Sequence, residues 1–141
     1  MDRVKLQRNL TLPNDVNTIP QLSEFIDTVC EELEIDMATV MSLNLAMEEA
    51  VVNVMSYAYE EGTQGDVCID AVADDKQLHF IISDSGKPFD PTAKEEVDTT
   101  LSAEERPIGG LGIHLIRQIM DNVSYERKDN KNILTLSKNI H

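Results

Sequence analysis

The sequence predicts an α+β fold, a two-layer sandwich of helices against a sheet. Two observations carry this. Strand-like segments come in hairpin pairs, and helical segments stand apart from them, in the order β, α, α, β, β, long loop, α, β, β. Regular β–α alternation, which would build a doubly wound sheet, is absent. The 141 residues predict one domain over 1–141.

Residues 3–12, "RVKLQRNLTL", place Val4, Leu6, Arg8 and Leu10 on one alternating face and read as a strand with edge character. "PNDVNTIP" supplies helix-start chemistry, with Asn14 or Thr18 as the N-cap. Leu22, Phe25, Ile26, Val29, Cys30 and Leu33 recur at helical spacing, so a first helix runs to about Glu34. A second begins near Met37, with Asp36 as its cap, and ends near Tyr59. "EGTQG" is a turn. Val67, Ile69 and Ala71 alternate, "DD" turns, and Leu78, Phe80 and Ile82 alternate again, which is a hairpin. Residues 87–108 show no period and have the length of a functional lid. "GGLGIHLIRQIMDN" opens a helix on glycines, and "VSYERK" and "NILTLSK" form two strands around "DNKN".

Hydrophobic residues make up 41% of the chain, enough for a real core, and with 4% aromatics that core rests on aliphatic side chains. The net charge of −14 disfavours nucleic acid and anionic membrane partners and favours proteins with basic faces, or small ligands. Cys30 and Cys68 make neither a metal-ligand spacing nor a disulfide framework, and both are expected reduced and mostly buried. No signal-like N-terminus or membrane-length apolar run stands out, which predicts a cytoplasmic protein.

Three short stretches bear on chemistry. In "LNLAMEEAVVNVMSYAY", Glu49 and Asn53 lie one helical turn apart within an apolar run. A buried amide there needs a partner, and a hydrated Mg²⁺ on the Asn53 carbonyl oxygen supplies one, with Glu49 placed to deprotonate a nucleophile. The competing reading is a wet stripe of Glu48, Glu49 and Asn53 on a half-exposed helix. In "ISDSGKPF", Asp84 follows a strand and would accept a hydrogen bond from an exocyclic amine such as N6 of adenine. Gly86 would let a flat ring approach the backbone. The competing reading is a strand-ending turn. In "IGGLGIHLI", Gly109, Gly110 and Gly112 bare backbone N–H groups at a helix start, which suits phosphates; a flexible hinge is the alternative. Neither the G-x-x-x-x-G-K-S/T nor the dinucleotide glycine pattern is present. A metal-and-base helix, an adenine pocket and a phosphate loop are the parts a nucleotide site requires, and they occur here in that order.

"EEAVVN", "DSGKPFDP" and "GGLGIHLI" resemble the N, G1 and G2 boxes of the histidine kinase-like ATPase (GHKL) superfamily. The run "ERPIGGLGIHLIRQIMDNVSYER" is most similar to the anti-sigma-factor serine/threonine kinases of that group. The resemblance spans nearly the whole chain. It implies a mixed, mostly antiparallel sheet with helices on one face and ATP held between helices and lid. It implies Glu49 as catalytic base, Asn53 as Mg²⁺ ligand and phosphate contact, Asp84 as the adenine-reading aspartate with Gly86 beside it, and Gly109, Gly110 and Gly112 as the lid-end glycines. It further implies a sigma factor and a small anti-anti-sigma antagonist as partners, the antagonist being the phosphorylated one, and it allows a homodimer.

The chain also departs from the family. Tyr57 stands where many relatives carry His. "KNIL" replaces a Gly-Thr pair, so Asn132 takes that place in the adenine network and Thr135 is the secondary candidate. Arg106 is the nearest arginine to the lid-end glycines, with Pro107 between. His79 reads as a surface strand residue and His114 as packing or solvent-facing. Two other functions compete: a catalytically weak ATP-gated protein-binding module, and an interaction domain that uses no nucleotide.

Overall fold

The computed structural model describes residues 4–60, 62–93 and 112–140. The chain runs through β1 (Leu6–Pro13), a 3₁₀ turn (Val16–Thr18), α1 (Ile19–Glu32), α2 (Met37–Tyr57), β2 (Asp66–Ala73), β3 (Gln77–Asp84), a second 3₁₀ turn (Pro91–Ala93), α3 (Gly112–Ile119), β4 (Asn122–Lys128) and β5 (Lys131–Asn139). The predicted order is present. The five strands form one sheet in the order β1-β2-β3-β5-β4, so β1 is an edge strand as its sequence indicated. All four pairings are antiparallel, so the parallel component a mixed sheet would include does not occur among the described residues.

Strand alternation separates the two faces of the sheet. Leu12, Val67, Ile69, Ala71, Leu78, Phe80, Ile82, Leu134 and Leu136 are buried and share one side by register. Leu22, Ile26 and Val29 of α1, Leu43, Met47, Ala50, Val51 and Val54 of α2, and Ile116 of α3 complete that core. Each fully buried aliphatic or aromatic side chain contributes about 1.5–3 kcal/mol relative to exposure. The opposite face carries residues such as Asn9, Cys68, Asp70, His79, Thr135 and Ser137, and Asn9 Nδ2 donates to Asp70 Oδ1 at 2.7 Å across β1 and β2. Cys68 is half-buried there rather than buried, because it alternates away from the core-facing Val67 and Ile69; Cys30 sits in the core, and burial, with Asp27 nearby, pushes its thiol up to about 11. His79 is likewise half-buried, its Nδ1 2.7 Å from the Ser137 hydroxyl.

Thr18, one of the two expected residues, is the N-cap of α1 by position, but neither it nor Asn14 caps the helix with its side chain. Asp15 caps the preceding 3₁₀ turn through Asn17 N–H, and the Thr18 hydroxyl donates back to the Asp15 carbonyl. Asn14 bridges outward instead, donating to the Thr63 carbonyl at 2.7 Å and accepting from Gly65 N–H at 3.0 Å. It therefore pins the α2–β2 turn to the end of β1. Asp36 caps α2 as expected, accepting from Thr39 N–H and hydroxyl, and these bonds lower its pKa. A two-residue turn at Asp129 and Asn130, both with positive φ, joins β4 to β5. No helix among the described residues is long and apolar enough to cross a membrane.

Candidate nucleotide site

The buried face of the sheet stays apolar until the end of β3, where the alternation Leu78, Phe80, Ile82 continues into Asp84. Across the ladder, Leu136 and Leu134 continue into Asn132, and Asp84 and Asn132 are register partners. Both polar residues are as buried as the leucines before them, at 4% and 3% exposure. Two polar side chains at such depth require partners.

Asn132 is fully satisfied. Its Nδ2 donates to Asp84 Oδ1 at 2.9 Å and to the Lys87 carbonyl at 2.8 Å. Its Oδ1 accepts from the Tyr125 hydroxyl at 2.5 Å and from Phe89 N–H at 3.1 Å. Two donors and one two-lone-pair acceptor are all a carboxamide has, and only this orientation of the amide meets all four partners. Asn132 therefore joins β3, β4, β5 and the segment after β3 at one point.

Asp84 is held from one side. Its Oδ1 accepts from Asn132 and, at 2.8 Å, from Gly86 N–H, which closes a tight turn. No described residue donates to Oδ2. Burial pushes this carboxyl above the ordinary carboxylate value. The Asn132 bond, the Gly86 N–H and the Arg127 charge act in the opposite direction without offsetting it. Arg127 also donates to the Gly86 carbonyl at 2.9 Å.

Gly86 meets the end of α2. A Cβ there would fall 2.2 Å from the Ala58 carbonyl oxygen, inside any tolerable contact. That closeness lets Lys87 N–H donate to the same carbonyl at 2.8 Å, satisfying a helix-terminal acceptor. Tyr59 braces the turn, its hydroxyl donating to the Asp66 carbonyl and accepting from Ser85 N–H.

Asn53, at 6% exposure, lies on the buried side of α2. It lines a small cavity of about 10 Å³ with Ala50, Phe89, Pro91, Ile113, Ile116 and Leu134, so α2, α3, β5 and the post-β3 segment meet there. Among the described residues the Asn53 carboxamide makes no hydrogen bond, and its polar atoms are not among those fully shut off from solvent, so it could take a water or cation as a partner. Phe89 links the two halves: its side chain lines the Asn53 cavity, its N–H rests on Asn132, and its ring stacks with Tyr57 at 5.5 Å. Glu49, one turn before Asn53, is half-buried.

Of the residues singled out in the sequence, Asn53, Asp84, Gly86 and Asn132 converge on the helix–sheet seam. Gly112 is the first residue of α3, while Gly109, Gly110, Arg106 and the expected lid from residue 94 onward lie outside the described residues. Thr135 alternates onto the opposite sheet face and does not join the cluster. Tyr125, Arg127, Phe89 and Ala58 belong to the cluster and were not singled out. The "DNKN" turn does carry a signal for Arg127, because a two-residue hairpin at Asp129 and Asn130 sets Arg127 opposite Asn132.

Helices packed on one face of an antiparallel sheet, with a polar cluster where helix, turn and strand meet, define a two-layer α+β domain with a candidate nucleotide site. The chain belongs to the histidine kinase-like ATPase domain family, whose model matches residues 12–138. It is 30% identical over 96 residues to the serine/threonine-protein kinase BtrW of Bordetella bronchiseptica, covering 68% of each chain. It is 28% identical over 132 residues to the serine-protein kinase RsbW of Halalkalibacterium halodurans, covering 86% of this chain and 80% of that one. The RsbW of Listeria monocytogenes is 34% identical over 85 residues, covering 57% of this chain, which there spans about half the relative's length (54%). Among solved structures, the RsbU and RsbW domains of a Mycobacterium tuberculosis protein share the fold, with TM-score 0.67, 13% identity, and coverage of 95% of this chain and 32% of that one. The SiaB–SiaC complex from Pseudomonas aeruginosa matches with TM-score 0.51 and 17% identity, covering 99% of this chain and 92% of that one.

Proposed function

We propose that the protein is an ATP-dependent serine/threonine protein kinase working in a partner switch. It phosphorylates a small anti-anti-sigma antagonist and, in the alternate state, sequesters a sigma factor. The observation that carries the nucleotide part is the one-sided hold on Asp84. Its Oδ1 is saturated by Asn132 and Gly86, which leaves Oδ2 oriented by the protein and open to an exocyclic amine. The kinase part is supported by the names of the relatives, BtrW and RsbW. The partner part is supported by the resemblance of the three boxes.

In this reading Asp84 reads adenine and Gly86 gives the ring access to the backbone. Asn132 is a positioning residue: all four of its hydrogen-bonding positions go to protein groups, so it aims Asp84 rather than touching the nucleotide. Asn53 would hold Mg²⁺ through its carbonyl oxygen, and the ion, when bound, offsets phosphate charge. Gly109, Gly110 and Gly112 would offer backbone N–H groups to the phosphates, with Arg106 nearby. Glu49 takes the proton of the substrate hydroxyl as its oxygen bonds the γ-phosphorus and the bond to the ADP leaving oxygen breaks. Residues 87–108 serve as the lid, and the setting is the cytoplasm.

Incubating the protein with radiolabelled ATP, Mg²⁺ and a cognate antagonist tests the proposal. Label on an antagonist serine or threonine is the expected result. An unlabelled antagonist, with ATP binding confirmed by calorimetry, overturns the kinase reading.

A further inference from the structure

α2 is apolar on both sides. Its buried side is accounted for by Leu43, Ala46, Met47, Ala50, Val51 and Val54. On the opposite side Met37, Met41 and Leu45 follow one another at four-residue intervals, and they are 72%, 68% and 51% exposed. That spacing sets them on one stripe, one above the next. Single exposed apolar residues are ordinary; three in register along a helix form a surface that water does not favour. Methionines suit such a role because their flexible, polarizable side chains adapt to a partner.

The span of chain that carries the stripe bears one sign of charge. No Lys, Arg or His occurs between Arg8 and Lys76, a span holding all of α1 and α2. Glu24, Asp27, Glu31, Glu34 and Asp36 are exposed on α1 and the α1–α2 turn, and Glu48 is exposed one turn beyond Leu45. The cation that precedes this span, Arg8, already donates to Glu32 at 2.9 Å. A second copy docking here would bring two acidic surfaces together, and an anionic membrane would be repelled in the same way.

We propose that the Met37–Met41–Leu45 stripe docks an amphipathic helix of a partner protein, apolar on one face and lysine- or arginine-rich on its flanks. Apolar anchors at matching helical spacing would seat on the stripe, and the basic flanks would meet the acidic rim. This surface is distinct from the Asp84–Asn132 cluster and does not rest on the kinase reading.

The test uses a fluorescently labelled leucine–lysine amphipathic peptide, with two controls: the same peptide with its apolar face changed to serine, and one with glutamate in place of lysine. Anisotropy against the wild-type protein, a Met37→Ser/Met41→Ser/Leu45→Ser variant and a Val4→Ser/Val16→Ser control variant reads the site. The expected result is binding of the leucine–lysine peptide alone, weakened roughly tenfold or more by the triple change and unaltered in the control variant. Binding that weakens with salt is expected as well. Circular dichroism melts of the triple variant should match wild type, since the replaced side chains are solvent-facing. Equal binding by wild type and triple variant, binding of the serine-faced peptide, or no binding at all would overturn the proposal. So would wild-type self-association in sedimentation that the triple change abolishes, which would make the occupant a second copy.

Discussion

Asn132 and Asp84 stand opposite each other on β5 and β3, and the carboxamide of one donates to the carboxylate of the other at 2.9 Å in the core. Every further bond of Asn132 goes to the strand or segment that shapes the site: Tyr125 of β4, and Lys87 and Phe89 after β3. Removing this hub leaves several part-buried groups without a partner, each costing about 1–3 kcal/mol where water cannot replace it. Asn132→Ala should therefore destabilise the protein by about 2–4 kcal/mol, measured by urea unfolding. A change below about 0.5 kcal/mol, the range of ordinary surface substitutions, would show that Asn132 does not organise the cluster.

Asp84→Asn separates stability from binding. The substituted amide keeps an acceptor for Asn132 and Gly86 but turns Oδ2 into a donor facing the ring amine. Because burial raises the Asp84 pKa in the folded state, the native protein holds that proton more tightly than the unfolded chain. Stability contributed by the protonated form is thus full below the unfolded value and is lost as pH rises through the native one. At neutral pH the ionised Asp84 is a cost to the fold. The neutral variant should melt no lower than wild type at pH 7, while ATP affinity falls roughly ten- to hundredfold, the size of one charge-assisted hydrogen bond. Wild-type affinity should also weaken as acid protonates Asp84. Calorimetric titration of both proteins across acid pH checks this, and undiminished affinity in Asp84→Asn would remove Asp84 from the site.

Gly86→Ala tests close packing rather than charge. Its methyl would lie 2.2 Å from the Ala58 carbonyl oxygen and 2.7 Å from the carbonyl carbon, both backbone atoms that cannot rotate away. The turn must move off α2, breaking the Lys87–Ala58 hydrogen bond. A loss of about 1–3 kcal/mol in stability is expected, together with weakened nucleotide binding. Gly62→Ala, where positive φ carries the strain but nothing lies within 4 Å, should leave nucleotide binding intact. Thermal melts and ATP titrations on the pair distinguish the two glycines.

Periodicity made most of the fold legible. Val67, Ile69 and Ala71 against Leu78, Phe80 and Ile82 identify a hairpin and its buried face without further help. Asp36 announced its helix because a β-region aspartate three residues before a free N–H has little else to do. Asn14 misled because cap chemistry does not say whether an amide turns toward its own helix or, as here, toward a turn 51 residues away. The buried polar pair shows the same limit. Asp84 and Asn132 each continue an apolar alternation, so their depth was readable in principle. Their pairing depends on β3 lying beside β5 rather than β4, a crossover that local pattern does not encode. The register that sets Arg127 opposite Asn132 was readable from the two-residue turn at Asp129 and Asn130, but what Arg127 and Tyr125 do there depends on Asn132 meeting Asp84 across β3 and β5.

Glu49 and Asn53 share a turn of α2 and should nonetheless fail differently. Glu49 is half-buried and Asn53 is buried, and the proposed roles, base for one and metal ligand for the other, make different demands on them. Glu49→Gln keeps shape and hydrogen-bonding reach but removes basicity. Phosphoryl transfer to the antagonist should drop about 100- to 10,000-fold while the ATP dissociation constant stays within about threefold. Asn53→Ala should instead raise that constant, and raise it far more in Mg²⁺ than in EDTA, because the lost oxygen acts through the metal. Measuring affinity in both buffers and transfer under saturating ATP separates the two. If Glu49→Gln transfers label at the wild-type rate, the protein uses another base. If Asn53→Ala weakens binding equally with and without Mg²⁺, the amide contacts the nucleotide or supports the helix directly and holds no metal.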